Sequence, residues 1–429
     1  RTYVDLLSTD PIEISDEEDE NLQNAIQNSL ETGNSNPRVD ENVEDVLKNH
    51  VVKVMQGQPG DTDVNKNLIN VRRNHVFKDG LGKMERKRFD PTLPISVKFA
   101  DELGSSEGAV DHGGPSREFL RLAIEEAYSS NAFSGSLTSK VVVLNQEAKR
   151  ENLYYQIGKL FAISLCNGGG VGRCLAPCVY DFLVYGESGC SPTIQDIQDY
   201  EIKTIMGKIA ASESESAFNI VVRTDETIDV FSQAGYHGIP KFDKKNILVQ
   251  ELCKFFVIDK SRTVLEQFKE GLHTLEIAGL LRQHPTLFRP YFCFTSSKAL
   301  TASSIDDMFK PCVSLEGTRL RDKEDLIIMH WRDYLQDCEE RSYSSTSGSG
   351  DTVTLAVVLA FATGASEIPP LGFKPAPSIS FWNDVRPRSN TCSNILFLPR
   401  YKDVENVEYE KFKEMMDEAI LNSPTFGVA

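Results

Sequence analysis

No stretch of the chain reaches the ~18 consecutive apolar residues of a membrane-spanning helix. The nearest, VTLAVVLAFATGA at 353–365, is short and ends in small residues, so a buried helix is expected there. Basic residues are in deficit: 46 Lys and Arg stand against 63 Asp and Glu, a formal net charge of −17. Such a chain repels nucleic acid and anionic membrane surfaces, which leaves proteins as the expected partners. The opening RTYVDLLSTD has neither an initiator methionine nor an apolar signal core, as expected of a fragment without secretory targeting. No internal repeat is found.

Regular cysteine spacing is lacking too. The nine cysteines stand at 166, 174, 178, 190, 253, 293, 312, 338 and 392, an odd number in a chain that is 40% hydrophobic. That pattern points to reduced thiols in the cytosol, the nucleus or both, and not to a disulfide framework. Cys174 and Cys178 have no second Cys or His pair at ligand spacing, so neither zinc nor any other cofactor is expected.

With 429 residues, the chain is long enough for two to four domains behind a tail. Residues 1–70 carry 15 acidic and 5 basic residues and few aromatics, the composition of a flexible acidic arm. Inside it, residues 16–31 place Leu22, Ala25, Ile26, Ser29 and Leu30 on one helical stripe behind five consecutive acids, with Gly33 as a stop. From about residue 71 strong periodicity sets in. REFLRLAIEEAYSS (117–130) and NLYYQIGKLFAISLCN (152–167) predict helices, the second apolar on most faces, and PISVKFA (94–100) predicts a half-buried strand. Residues 187–240 are more polar and predict a small appended subdomain, with a further boundary near 310–317. The basic KMERKR (83–88) is most simply the wet face of the first domain helix.

Cys392 stands in RSNTCSNILFLPRY (388–401), after a Pro-containing loop and before an extended run. From position alone it is a buried filler, a metal ligand, half a disulfide or a nucleophile. Thr391, Ser393 and Asn394 supply polar contacts, and Arg386 and Arg388 are close enough in sequence to stabilise a thiolate. A cysteine hydrolase needs a base, yet none of the seven histidines lies near Cys392, and the nearest in sequence is His330. GGPSRE at 113–118 has no following Lys-Ser/Thr and is not a phosphate loop. It reads as a tight turn into a helix, with an Arg117–Glu118 pair holding the domain, and NGGGVGR (167–173) reads as a flexible connection.

Five motifs then appear in one order: GGPSREFLRL (113–122), IGKLFAISL (157–165), FATGASEIPPLGF (361–373), NTCSNILFLPRY (390–401) and the terminal FGVA (426–429). In order and spacing they resemble the HECT ubiquitin ligases, over about 71–429. The resemblance implies an α+β bilobal fold. A mostly helical N-lobe would span 71–312, with a conjugating-enzyme-binding subdomain at about 187–240. A hinge and an α/β C-lobe over 313–429 would follow, with the arm 1–70 in front. The implied reaction moves ubiquitin from a conjugating enzyme to Cys392 and then to a lysine of a protein substrate. Thr391 and Asn394 would shape the cysteine loop, and Phe426 would seat the C-terminal tail.

Three positions depart from the family pattern: Asn390 where His is common, Ser393 where Phe is common, and Phe397 where an acid is common. They keep a second reading open, a catalytically silent HECT-fold scaffold that binds ubiquitin or ubiquitinated partners. The 16–31 helix resembles a ubiquitin-interacting motif, with Leu22, Ala25, Ile26 and Ser29 as its contact residues. Upstream, PIEISDEEDE joins β-branched residues to acids in the manner of a SUMO-binding strand, with only Ile12 and Ile14 as its apolar core.

Overall fold

Apolar periodicity places the first helix among the described residues earlier than composition suggests. The computed structural model describes residues 42–57, 64–101, 105, 110–344, 352–400 and 408–422, and the chain from Val43 onward forms one compact unit. Helix Val43–Val54 falls inside the stretch read as an arm to residue 70, yet Val43, Leu47 and Val51, at i, i+4 and i+8, are all buried in the first core. Acidic and polar residues on either side of it dominate the composition of 1–70, so averaging over the arm conceals it. The 16–31 helix and the SUMO-like strand lie outside the described residues.

Strands β1 (Asn67–Arg72) and β2 (Ile95–Ala100) pair in parallel, Asn67 opposite Ile95, and bury alternate residues. Helix Gly114–Ser129 opens with Pro115 in its first turn and buries Phe119, Leu120, Ala123, Ile124 and Ala127 against them. A short hairpin, β3 (Phe133–Ser136) and β4 (Ser139–Val142), leads on to helix Leu153–Cys166. That helix is buried on most faces, as its sequence predicts, and crosses helix Arg262–Leu272 where Gly158 meets Gly271. A Cβ on Gly158 would run into Phe268 O, and one on Gly271 into Tyr155 O, so the crossing exists only because both side chains are absent. Tyr128, Phe133, Phe161, Phe268 and Phe292 fill the space around it, with ring centroids 5.1–6.4 Å apart.

The polar stretch after residue 187 folds as three short helices, each started by its own cap. Asp199 accepts from the amides of Glu201 and Ile202, Ser214 from Ala217, and Thr224 from Thr227. They bury Met206, Ile209, Phe218, Val230 and Phe231, while Tyr200, Ile220 and Ile228 stay exposed.

A second core begins between Cys293 and Ile305, ahead of the boundary expected at 313, because Ile305 and Phe309 pack within it. Its sheet runs β5 (Lys310–Pro311), β6 (Ser378–Trp382), β8 (Ile395–Pro399), β7 (Arg388–Asn390), with β6 and β8 parallel. Helices Arg319–Ser344, Leu355–Thr363 and Tyr409–Leu421 cover it with Trp331, Tyr334, Val358, Leu359, Phe412 and Met416. Leu355–Thr363 is the buried helix expected from the longest apolar run, and Gly364, with φ 84°, stops it. One charge sits inside: Glu324 is fully buried, bonded to Arg400 Nη2 at 2.6 Å and to the Ser314 amide at 2.6 Å.

Candidate active site

Alternation along β6 and β8 fixes the register that positions Cys392. Ile379, Phe381, Leu396 and Leu398 face the second core, and β7 pairs antiparallel with β8, from Arg388 opposite Phe397 to Asn390 opposite Ile395. The four residues left over, 391–394, turn the hairpin, with Cys392 second among them. Strands therefore flank the cysteine on both sides. Asn390 Oδ1 accepts from the Ser393 amide at 3.2 Å, bracing the turn from within.

Asn394 closes the turn at φ 54°, a conformation that asparagine tolerates better than most residues. Fully buried, it accepts from Arg117 Nη2 at 2.7 Å through Oδ1 and donates through Nδ2 to Pro375 O at 2.7 Å. Arg117 Nη2 also donates to Thr391 O, and Arg117 Nε donates to Thr363 O at 2.9 Å. One guanidinium from the first core thus grips both ends of the cysteine turn and the end of the Leu355–Thr363 helix.

The segment that carries Arg117 is itself braced. The Asp111 carboxylate accepts from the amides of Val97 at 2.7 Å and Gly113 at 2.8 Å, and from the Ser116 hydroxyl. Gly114 has to be glycine: a Cβ there would collide with Thr391 Oγ1 and stand 3.0 Å from the Cys392 backbone nitrogen. The half-buried Cys392 Sγ faces Val110 O at 3.8 Å. Burial pushes the Arg117 guanidinium down from its ordinary value, while Cys392 and Asp111 pull it the other way. A guanidinium stays charged regardless, so a fixed cation stands beside the turn.

Two readings of the sequence change here. Arg386 and Arg388 do not serve the thiol: Arg386 pairs with Glu418 at 3.1 Å, and the Arg388 guanidinium stacks 3.5 Å from the Trp382 ring centroid. Nor do Arg117 and Glu118 pair, since Glu118 binds Arg73 at 2.8 Å and leaves Arg117 for the turn. Adjacent residues on a helix point about 100° apart, which the motif already implied. Phe426, Leu22, Ala25, Ile26 and Ser29 lie outside the described residues. Phe397 is half-buried on β8, paired with Arg388 and Ser380.

The nine cysteines are unpaired and differ in environment. Burial pushes the thiols of Cys166, Cys174, Cys293 and Cys338 up to about 12 and that of Cys253 to about 11, and it raises those of Cys178 and Cys190 as well. Cys312 is exposed and Cys392 half-buried. His330 is buried, its ring 5.8 Å from those of Tyr409 and Phe412. Among the described residues no histidine hydrogen-bonds the Cys392 thiol, and no group of three or more His, Cys, Asp or Glu could hold a metal ion.

Residues 351–429 match the family described as HECT-domain (ubiquitin-transferase). The chain carries a HECT domain there. The HECT segment contains β6, β7, β8 and the Cys392 turn. The chain is also similar to the G2/M phase-specific E3 ubiquitin-protein ligase of Homo sapiens, at 30% identity over 356 residues, covering 81% of this chain and 46% of that protein. The Gallus gallus protein of the same name is 31% identical over 344 residues, covering 80% of this chain and 43% of its own length. The chain spans about half the length of the curated relatives it matches.

Proposed function

We propose that the chain is a ubiquitin-protein ligase that accepts ubiquitin as a thioester on Cys392 from a conjugating enzyme and passes it to a lysine of a protein substrate. The observation that carries this reading is the Cys392 turn, set at a hairpin tip inside the HECT segment and gripped by Arg117. In the first step a thiolate attacks a thioester and a thiolate leaves, so the exchange is close to neutral in energy and needs no histidine base. In the second step the lysine amine attacks the Cys392 thioester, the amide forms, and the Cys392 thiol is released.

The conjugating enzyme docks, on this reading, at the three-helix subdomain. Tyr200, Ile220 and Ile228 there are 80%, 72% and 47% exposed, and Ile239 just beyond is 89% exposed, apolar side chains a partner could cover. The 16–31 stripe of Leu22, Ala25, Ile26 and Ser29 binds ubiquitin and keeps it near the thioester, and Phe426 seats the tail for lysine transfer. The sequence pattern supports both roles. A cytosolic or nuclear setting, where thiols stay reduced, suits this chemistry.

The test is a multiple-turnover reaction with ubiquitin, activating enzyme and a panel of conjugating enzymes. Chain-dependent ubiquitin conjugates should form and should vanish in Cys392→Ala. Conjugates that persist in that variant would defeat the proposal.

A further inference from the structure

Next to Arg117 lies a cavity of ≈ 90 Å³ with an unusual charge balance. Lys48 of the first helix, Lys66 ahead of β1 and Arg117 line it from the first core, and Lys374 lines it from the loop that leads into β6. Arg117 is engaged with the Cys392 turn. Among the described residues, Lys48, Lys66 and Lys374 have neither a hydrogen bond nor a carboxylate partner. Among the lining residues the carboxylate is Asp111, whose oxygens are already taken by the amides of Val97, Gly113 and Ser116 and by the Ser116 hydroxyl, and the Glu44 carboxylate stands beside Gly372 on the rim. Four basic residues thus line one small space in a chain of net charge −17, where acidic partners are abundant.

We propose that this cavity binds a single tetrahedral phosphate group, free or at the end of a larger molecule. Lysine ammoniums and a guanidinium are the usual ligands of phosphate oxygens. The volume argues for one such group alone, since pockets that enclose whole drug-sized or cofactor-sized ligands run to about 300–1,000 Å³. The lysines come from both walls, so a bound phosphate would tie the loop carrying Lys374 to the first core. Lys374 precedes Pro375, whose carbonyl accepts from Asn394, and the ligand would therefore hold the Cys392 turn in its docked position.

The site is independent of ligase activity and is tested by binding. Inorganic phosphate is titrated into the full chain at constant ionic strength, with chloride as the balancing anion, and thermal unfolding is followed. Phosphoserine is run as a second arm. The expected result is a saturable rise in Tm with phosphate, absent with chloride. At least a tenfold loss of affinity is expected in Lys374→Gln and in Lys48→Gln, exposed positions where folding is not at stake. Tighter binding of phosphoserine than of phosphate would identify the group as the end of a larger ligand. A rise that does not saturate, no rise with either probe, or unchanged affinity in both lysine variants would overturn the proposal.

Discussion

Arg117 Nη2 donates to Asn394 Oδ1 at 2.7 Å, joining residues 277 apart in the chain and tying the cysteine turn to a core to which it does not belong. Removing the guanidinium leaves Asn394 Oδ1, Thr391 O and Thr363 O without their donor, at about 1–3 kcal/mol for each buried group. Arg117→Met is therefore expected to lower Tm and to slow ubiquitin loading of Cys392 at least tenfold. Loading is therefore compared at a temperature well below the variant's Tm, where the chain is folded. Arg117→Lys keeps the charge but should not restore the loading rate, because an ammonium cannot form the fork.

Asn394 combines a left-handed backbone with two side-chain bonds, and these can be separated. Asn394→Gly loses the bonds but keeps the conformation. Asn394→Ala loses both and is expected to be less stable than the glycine variant by about 1 kcal/mol, the penalty of a Cβ in that region. Urea denaturation of the two variants side by side measures the difference.

Glu367 reaches from the segment after Gly364 to the first core, where its Oε1 accepts from the Gly172 amide at 2.9 Å. Burial pushes its carboxyl up to about 7 from an ordinary 4.5. The folded protein thus binds this proton more tightly than the unfolded chain does. The stabilisation is complete below the ordinary value and is lost as pH rises through about 7. Wild type should lose stability to urea as pH rises from about 4.5 to about 7 and level off above that, and Glu367→Gln should flatten this dependence.

Two glycines in helices should respond with opposite signs. Gly158→Ala drives a methyl into Phe268 O and should cost about 1–3 kcal/mol or more. Gly279, in helix Ile277–Gln283, has nothing within 4 Å of its missing Cβ, so Gly279→Ala should gain about 0.4–1 kcal/mol. Thermal melts of both variants check the crossing directly.

Local periodicity carried most of the fold in the first core. Helices 117–130 and 152–167 and strand 94–100 were legible because each buries a face of regular period. Helix Val43–Val54 was not, because its apolar residues disappear in a composition average over an acidic stretch and gain meaning only against a core built from distant residues. Strand β5 was not legible for a related reason: it is two residues long and is a strand only because β6, almost seventy residues on, pairs with it. At the site, Cys392, Thr391 and Asn394 could be read together because they are neighbours in sequence. The partner that holds them, Arg117, could not be read, since its motif spells a helix start whether or not a second core lies against it. The one hint was the Gly113–Gly114 pair, which starts the helix with a glycine at the N-cap, where a capping side chain is common.

The most direct test of the account is a single-turnover reaction between the full chain and a ubiquitin-charged conjugating enzyme. The account predicts an adduct of chain and ubiquitin that thiol reductant removes, that Cys392→Ser converts to a reductant-resistant ester, and that Cys392→Ala lacks. A folded chain that forms no adduct with any conjugating enzyme, or an adduct that survives in Cys392→Ala, would contradict it.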